Sequence, residues 1–175
     1  MDARILVCGL NGVGKSTLGR FLAERIGCAA LDIESYYFPV RHDYLCHRTP
    51  EEAYALLRRD MERLPSFVLA SLRGDPSWPL THVVLLGAPA QIRAGRVRRR
   101  SAEKFGIRMM PSGDLYESEE RFFAKCAGRE ESEATDWMSG IPLPCLILDG
   151  TLPPGENAER VVRWIADRPG DVRTP

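Results

Sequence analysis

The chain has 175 residues, 44% of them hydrophobic, and its 24 basic side chains balance 24 acidic ones. That length suits one domain burying roughly two-thirds of its unfolded surface, and zero net charge leaves no global field to draw nucleic acid or a membrane surface. Cys8, Cys28, Cys46, Cys126 and Cys145 form no C-x-x-C pair, no apolar run is as long as a membrane span, and Met1 stands too near the first strand for a signal peptide; zinc and membrane insertion are set aside, and a reducing, cytoplasmic setting is expected.

Ile5 to Cys8 is a short apolar run of strand character, and Gly9-Leu10-Asn11-Gly12-Val13-Gly14-Lys15-Ser16 follows it directly. This is G-x-x-x-x-G-K-[ST], a phosphate-binding P-loop. Gly9, Gly12 and Gly14 can take backbone angles closed to residues with a Cβ, so the loop can turn its N–H groups inward on a phosphate. Lys15 supplies a mobile charge for the β- and γ-phosphates, and the Ser16 hydroxyl is placed for Mg²⁺. Leu18, Phe21, Leu22 and Ile26 then form the stripe of a helix whose positive end faces the same anion, and Gly27 should stop it. Strand, glycine loop and helix are the context the motif requires. A nucleoside triphosphate is therefore expected on Gly9, Asn11, Gly12, Val13, Gly14, Lys15, Ser16 and Thr17.

Ala29 to Glu34 reads as a second strand, on which period-two alternation puts Asp32 and Glu34 on one side. An aromatic loop, Ser35-Tyr36-Tyr37-Phe38-Pro39, and an irregular stretch from Val40 to Arg48 come next. Thr49-Pro50-Glu51-Glu52 is a strong helix start, with a capping threonine, proline at the first position and glutamate three residues after the cap. Ser66 to Leu72 reads as a third strand closing on Arg73-Gly74-Asp75, and His82 to Leu86 as a fourth.

The helix after strand four carries Arg93, Arg96, Arg98, Arg99 and Arg100, of which Arg93, Arg96 and Arg100 share a face. Phe105 to Gly113 lacks periodicity and suggests a mobile loop. Asp114 and Glu117 suggest a second capping box, opening a helix through Phe122 and Phe123. An acidic, partly helical segment runs from Gly128 to Gly140. Cys145 to Leu148 is a fifth strand, then Asp149-Gly150-Thr151, then a final helix from about Pro154 to Ala166. Strands alternating with helices imply a parallel α/β sheet covered on both faces, in one domain spanning 1–175.

Taken together, the N-terminal P-loop, the small size, the arginine-rich helix after strand four and Asp149-Gly150-Thr151 after strand five resemble the small P-loop kinases. These include nucleoside monophosphate, shikimate, gluconate and uridine kinases, and the nearest likeness is to bacterial members labelled AAA-family or adenylate-kinase-related. The resemblance implies a three-layer fold with five parallel strands in the order 2-3-1-4-5, a small lid near 101–113 and an acceptor side near 35–65. It implies ATP and Mg²⁺ as cofactors, a small-molecule acceptor, and a monomer or homodimer.

The resemblance also distributes roles. Asp32 is similar to the acceptor-binding aspartate of shikimate kinases, and Glu34-Ser35-Tyr36-Tyr37 to the acid-plus-aromatic motif of uridine-kinase-like enzymes; either acid could deprotonate the acceptor. Arg96 and Arg100 resemble lid arginines that neutralise the transferred phosphoryl group, a charge that guanidinium forks suit. Gly150 and Thr151 resemble the turn that recognises adenine, and Arg121 resembles a return-helix arginine of adenylate kinases. Tyr36, Tyr37 and Arg73 join Asp32, Glu34 and Arg121 on the acceptor side. Asp75 reads either as a Mg²⁺-side acid beside Ser16 or as a plain Gly-Asp turn.

The Asp-Gly-[Phe/Tyr]-Pro sequence of nucleoside monophosphate kinases and the Gly-Gly-Gly turn of shikimate kinases are both absent, so the acceptor is open. Phosphoryl transfer to a small metabolite is the expected activity. The alternative is an ATP-binding or ATP-hydrolysing module with no acceptor. A GTPase lacks its [Asn/Thr]-Lys-x-Asp motif here, and an AAA+ motor needs a longer chain.

Overall fold

The computed structural model describes residues 3–39, 46–140 and 142–167. Its strands are β1 (Arg4–Cys8), β2 (Ala29–Asp32), β3 (Phe67–Ala70), β4 (His82–Gly87) and β5 (Cys145–Asp149). They pair in parallel in the order β2-β3-β1-β4-β5, the order the resemblance implied. A parallel sheet sandwiched between helices must bury both faces of its central strands, which explains why β1 and β3 are nearly unbroken apolar runs. On one face Ile5, Val7, Val68 and Val84 pack under α1 (Lys15–Ile26) and α7 (Pro154–Ala166). On the other, Leu6, Cys8, Phe67, Leu69 and Val83 pack with Trp78 and with Leu57 and Met61 of α3 (Pro50–Arg63).

The helix boundaries follow their local chemistry. Gly27 ends α1 in a left-handed conformation (φ 76°), its N–H bonded to the Ala23 carbonyl. Thr49 and Glu52 close the capping box of α3, each side chain bonded to the other's backbone N–H. Gly19 faces β3 from α1, where a Cβ would make only an ordinary contact with the Ala70 side chain at 3.6 Å. Phe21, expected on the buried stripe, is instead 48% exposed, because Leu18, Leu22 and Ala23 fill the contact with the sheet.

Two readings change around the site. β2 stops at Asp32, and Ile33–Tyr37 forms a short helix, α2, so Glu34 does not alternate with Asp32 along a strand and the aromatic loop is largely helical. The cause is Asp32, whose carboxylate accepts the Glu34 N–H (3.1 Å) as an N-cap. Farther on, α4 (Ala90–Phe105) continues into one 3-10 turn, Gly106–Met109, where a mobile loop was expected. Asp114 does not cap α5 (Tyr116–Ala127); its carboxylate takes the Arg108 guanidinium, and Leu115 holds the cap position without a side-chain bond.

The acidic stretch after α5 holds α6 (Ser132–Thr135) and the 3-10 turn Asp136–Met138. All five cysteines are free thiols. Among the described residues no helix is long and apolar enough to cross a membrane. Arg41 and His42, in the irregular stretch before α3, lie outside the described residues.

Candidate active site

Buried β1 delivers the P-loop to the edge of the sheet where its neighbouring strands also end. The Gly9 N–H donates to the Leu72 carbonyl (3.2 Å), fastening the loop to the segment after β3. Gly9, Gly12 and Gly14 have φ of 137°, 85° and 104°, a region that favours glycine. Crowding adds a second requirement at two of them. A Cβ on Gly9 would stand 2.3 Å from the Leu86 carbonyl oxygen, and one on Gly12 would stand 2.4 Å from that of Arg93 in α4.

Inside the loop the Lys15 ammonium donates to the Leu10 carbonyl (2.9 Å). Burial holds its pKa down to about 8, with Arg100 pushing the same way and Glu34 and Asp32 opposing. Asn11 keeps its side-chain oxygen buried with no partner among the described residues. A cation turned back on its own loop, an orphaned polar atom and a cradle with no space for a Cβ fit the binding of a polyphosphate chain.

Charge converges on Lys15 from two elements. Asp32 stands at the β2–α2 junction, and Glu34, on α2, approaches Arg100 of α4 (Oε1 to Nη1, 3.9 Å). Both acids and Arg100 act on the Lys15 ammonium, so the structure brings these four together. A cleft of about 870 Å³ runs from Ser16 and Arg20 on α1 past Asp32, Glu34 and Tyr36 to Arg100 and Lys104 on α4. Asp60 of α3 closes one side and accepts the Tyr36 hydroxyl (2.9 Å); burial and that carboxylate push the tyrosine pKa well up.

Arg96 reaches backbone carbonyls. Its Nη1 donates to the carbonyl of Gly150 (2.8 Å) and reaches those of Gly12 and Val13 (3.4 Å each), tying the P-loop to the turn after β5. That turn is tight. The Gly150 N–H donates to the Gly87 carbonyl (2.7 Å), a Cβ on Gly150 would meet the Val13 oxygen at 2.5 Å, and the Thr151 N–H and hydroxyl both bond Asp149. Gly150 and Thr151 therefore flank the loop, with Arg96 bracing the loop and the turn together.

The remaining expected residues stand apart from the cleft. Tyr37 packs edge-on against Tyr54, which in turn contacts Trp78. Arg73 follows β3 on this aromatic side, where its charge reaches Tyr37 and Asp75. Asp75 accepts the Ser77 hydroxyl and N–H at one oxygen (2.6 and 2.8 Å), and these bonds hold its pKa down. Arg121 lies on α5 beside Glu117 (3.8 Å) with three-quarters of its side chain exposed. Arg93 bonds the Ala88 carbonyl, and Arg98 stacks on Phe123 and pairs with Glu120, so the arginine face divides into separate tasks.

Sequence reasoning missed Asp60, Arg20 and Lys104 on the cleft wall. Asp60 carried one faint signal: it lies between Leu57 and Met61 of the buried stripe, at the margin of the face that packs. Arg20 and Lys104 carried none, because a cation on a helix is ordinary until a neighbouring element shows what it borders.

A polyphosphate cradle at the edge of a parallel 2-3-1-4-5 sheet, beside a cleft lined by acids and arginines, defines a P-loop fold of the small-kinase type. The chain belongs to the AAA domain family, whose model matches residues 5–136. It is 26% identical over 178 residues to YqaC of Bacillus subtilis (strain 168), itself uncharacterised, a match covering 95% of this chain and 99% of YqaC. The fold is shared with a gluconokinase from Sinorhizobium meliloti 1021 (TM-score 0.54, 19% identity, 97% and 98% of the two chains covered). It is shared also with the shikimate kinase of Acinetobacter baumannii, solved with shikimate (TM-score 0.55, 18% identity, 94% and 93% covered).

Proposed function

We propose that the protein is a cytoplasmic, ATP-dependent kinase that phosphorylates a small metabolite bearing hydroxyl or phosphate groups, nucleosides and nucleotides among them. The observation that carries this reading is the convergence of Asp32, Glu34 and Arg100 on Lys15 at the head of one cleft. A module that only binds nucleotide, without turnover, has no need of carboxylates there. Their charge would oppose a triphosphate unless they handle a proton or a metal. The shared fold with a gluconokinase and a shikimate kinase supports the reading.

In this reading Gly9 to Thr17 wrap the phosphates, and Lys15 exchanges the Leu10 carbonyl for the β- and γ-oxygens. Ser16 would hold Mg²⁺, which would supply charge neutralisation when bound; Asp75, expected on the same ion, has its carboxylate engaged by Ser77 apart from the cleft. Asp32 takes the proton from the acceptor hydroxyl as its oxygen attacks phosphorus and the bond to the leaving diphosphate breaks. Asp32 is favoured over Glu34 because the Glu34 N–H fixes its orientation, whereas Glu34 already faces Arg100.

Arg100 neutralises charge on the phosphoryl group in transit, and Arg96 holds loop and base turn in register while contributing to the ATP site with Gly150 and Thr151. Tyr36 shapes the acceptor wall. Tyr37, Arg73 and Arg121 are assigned to the acceptor once the lid closes. The test is a screen of nucleosides, nucleotides, sugars and shikimate-like acids for stimulated ADP release. Stimulation by one class establishes the kinase, and none by any class overturns it.

A further inference from the structure

The reaction above makes no use of a buried amide on α7. Asn157 is 2% exposed, and the other buried residues of that helix, Ala158, Val161 and Ile165, are all apolar. Its Nδ2 donates to the Asp149 carbonyl (2.8 Å), where β5 gives way to the turn. A carbonyl can only accept, so this bond fixes which way round the amide lies. Oδ1 is then left buried with no partner among the described residues. An apolar side chain would avoid the free energy lost by burying that oxygen unpaired.

The turn that Asn157 holds is the one beside the P-loop, and three elements grip it. The Gly150 N–H goes to Gly87 at the end of β4, the Gly150 carbonyl to Arg96 of α4, and the Asp149 carbonyl to Asn157 of α7. The Asp149 carbonyl has a second donor in the Leu152 N–H, at a longer 3.3 Å. Without Asn157 the turn keeps its ties to β4 and α4 and loses its short bond to α7. Space at this point is narrow. A Cβ on Gly150 would stand 2.5 Å from the Val13 carbonyl oxygen, so a small rotation of the Asp149–Gly150 peptide changes the gap between turn and loop. An amide held at a cost in stability, on the backbone of that turn, has a task in positioning rather than in packing.

We infer that Asn157 is a positioning residue for the nucleotide. Through the Asp149 carbonyl it sets the turn at Gly150 and Thr151 against the base of a nucleoside triphosphate whose phosphates lie in the P-loop. Buried as it is, Asn157 acts only through the backbone it holds. The inference rests on the nucleotide half of the proposed function, in which this turn belongs to the ATP site, and not on the acceptor.

The test compares a ligand that has a base with one that has none: the non-hydrolysable β,γ-imido analogue of ATP and inorganic tripolyphosphate, each with Mg²⁺, by calorimetry on the full chain. Asn157→Leu removes the donor and the orphaned oxygen together. It should weaken the ATP analogue about three- to tenfold while tripolyphosphate affinity stays within about twofold. Asn157→Ala should give the same pattern, which keeps the inference open to refutation if the leucine variant does not fold.

Equal loss for both ligands would make Asn157 a support of the fold around the loop, and no loss for either would mean the turn is held without it. Each result overturns the inference. So would an unaltered protein that binds the ATP analogue no more tightly than tripolyphosphate, because the base would then gain nothing from the turn. Binding of neither ligand would overturn the nucleotide reading and the inference with it, whereas a negative acceptor screen would leave the comparison intact.

Discussion

The two halves of the cleft are built by different means. On the nucleotide side the backbone does the positioning: Gly9, Gly12 and Gly150 sit where a Cβ would meet a carbonyl oxygen at 2.3 to 2.5 Å, and Arg96 ties three loop carbonyls together. On the acceptor side the positioning is by side chains on short elements. Asp32 caps a five-residue helix, Glu34 is half-exposed, and Tyr36 leans on Asp60 of another helix. In the proposed reading, the side built from side chains can be rewritten without disturbing the loop built from backbone.

Breaking the donor half should give the largest effect. Lys15→Met removes the ammonium that follows the β- and γ-phosphates, and turnover should fall by about 10²–10³-fold or more. The same change should stabilise the free protein. Lys15 titrates near 8 when folded against 10.5 ordinarily, so its charged form is disfavoured by folding and, with more protons bound to the unfolded chain, stability rises as pH climbs from 8 to 10.5. At pH 7 the methionine variant should be more stable by roughly 1–2 kcal/mol, read as a higher midpoint in urea. Lost activity with no gain in stability would mean the free loop accommodates the charge without cost.

On the acceptor half, Asp32→Asn should lower kcat by about 10²–10⁴-fold while ATP affinity holds, and Glu34→Gln should cost less. The reverse order would move the base to Glu34. The measurement is steady-state phosphoryl transfer with whichever acceptor class stimulates ADP release.

The contrast between the halves also explains what the sequence made legible. The loop could be read because its requirements are stereochemical and local: a positive φ or a crowded Cβ admits glycine and little else, so the pattern survives in one string of residues. The strand order followed from the resemblance, and the two-sided burial of β1 and β3 is visible as unbroken apolar runs. The capping box at Thr49 is local too. Asp114 and Glu117 show the same signature failing, because Arg108 offers a stronger partner six residues back. Asp32 was read on a strand that its own capping bond terminates. Asp60 was illegible because its meaning depends on packing against elements distant in sequence, and no periodicity records that.

The pH dependence of binding sharpens the donor half. Bound phosphates add negative charge around Lys15 and raise its pKa, so above pH 8 nucleotide binding must take up a proton. ATP affinity should be level up to about pH 8 and then fall by up to about tenfold per pH unit. Calorimetry at pH 7, 8 and 9 in two buffers of different ionisation heat reads both the fall and the proton uptake, and affinity level across that range would refute a depressed Lys15. Lys15→Arg should bind weakly but with no such slope, because arginine stays charged throughout.

The smallest effect tests how far the acceptor wall is held by Tyr36. Tyr36→Phe removes one hydrogen bond and leaves the half-buried Asp60 carboxylate with Arg59, 3.7 Å away, in place of the hydroxyl. That costs roughly 1 kcal/mol, about a fivefold rise in acceptor KM, if the pair shapes the wall that the acceptor touches. Asp60→Asn retains an acceptor oxygen for the hydroxyl and should cost less. A fall in kcat with unchanged KM would place Tyr36 beside the transferring phosphate instead. Equal loss of ATP affinity would show that the two halves are coupled through α2, which the cap at Asp32 and the approach of Glu34 to Arg100 tie to the nucleotide side.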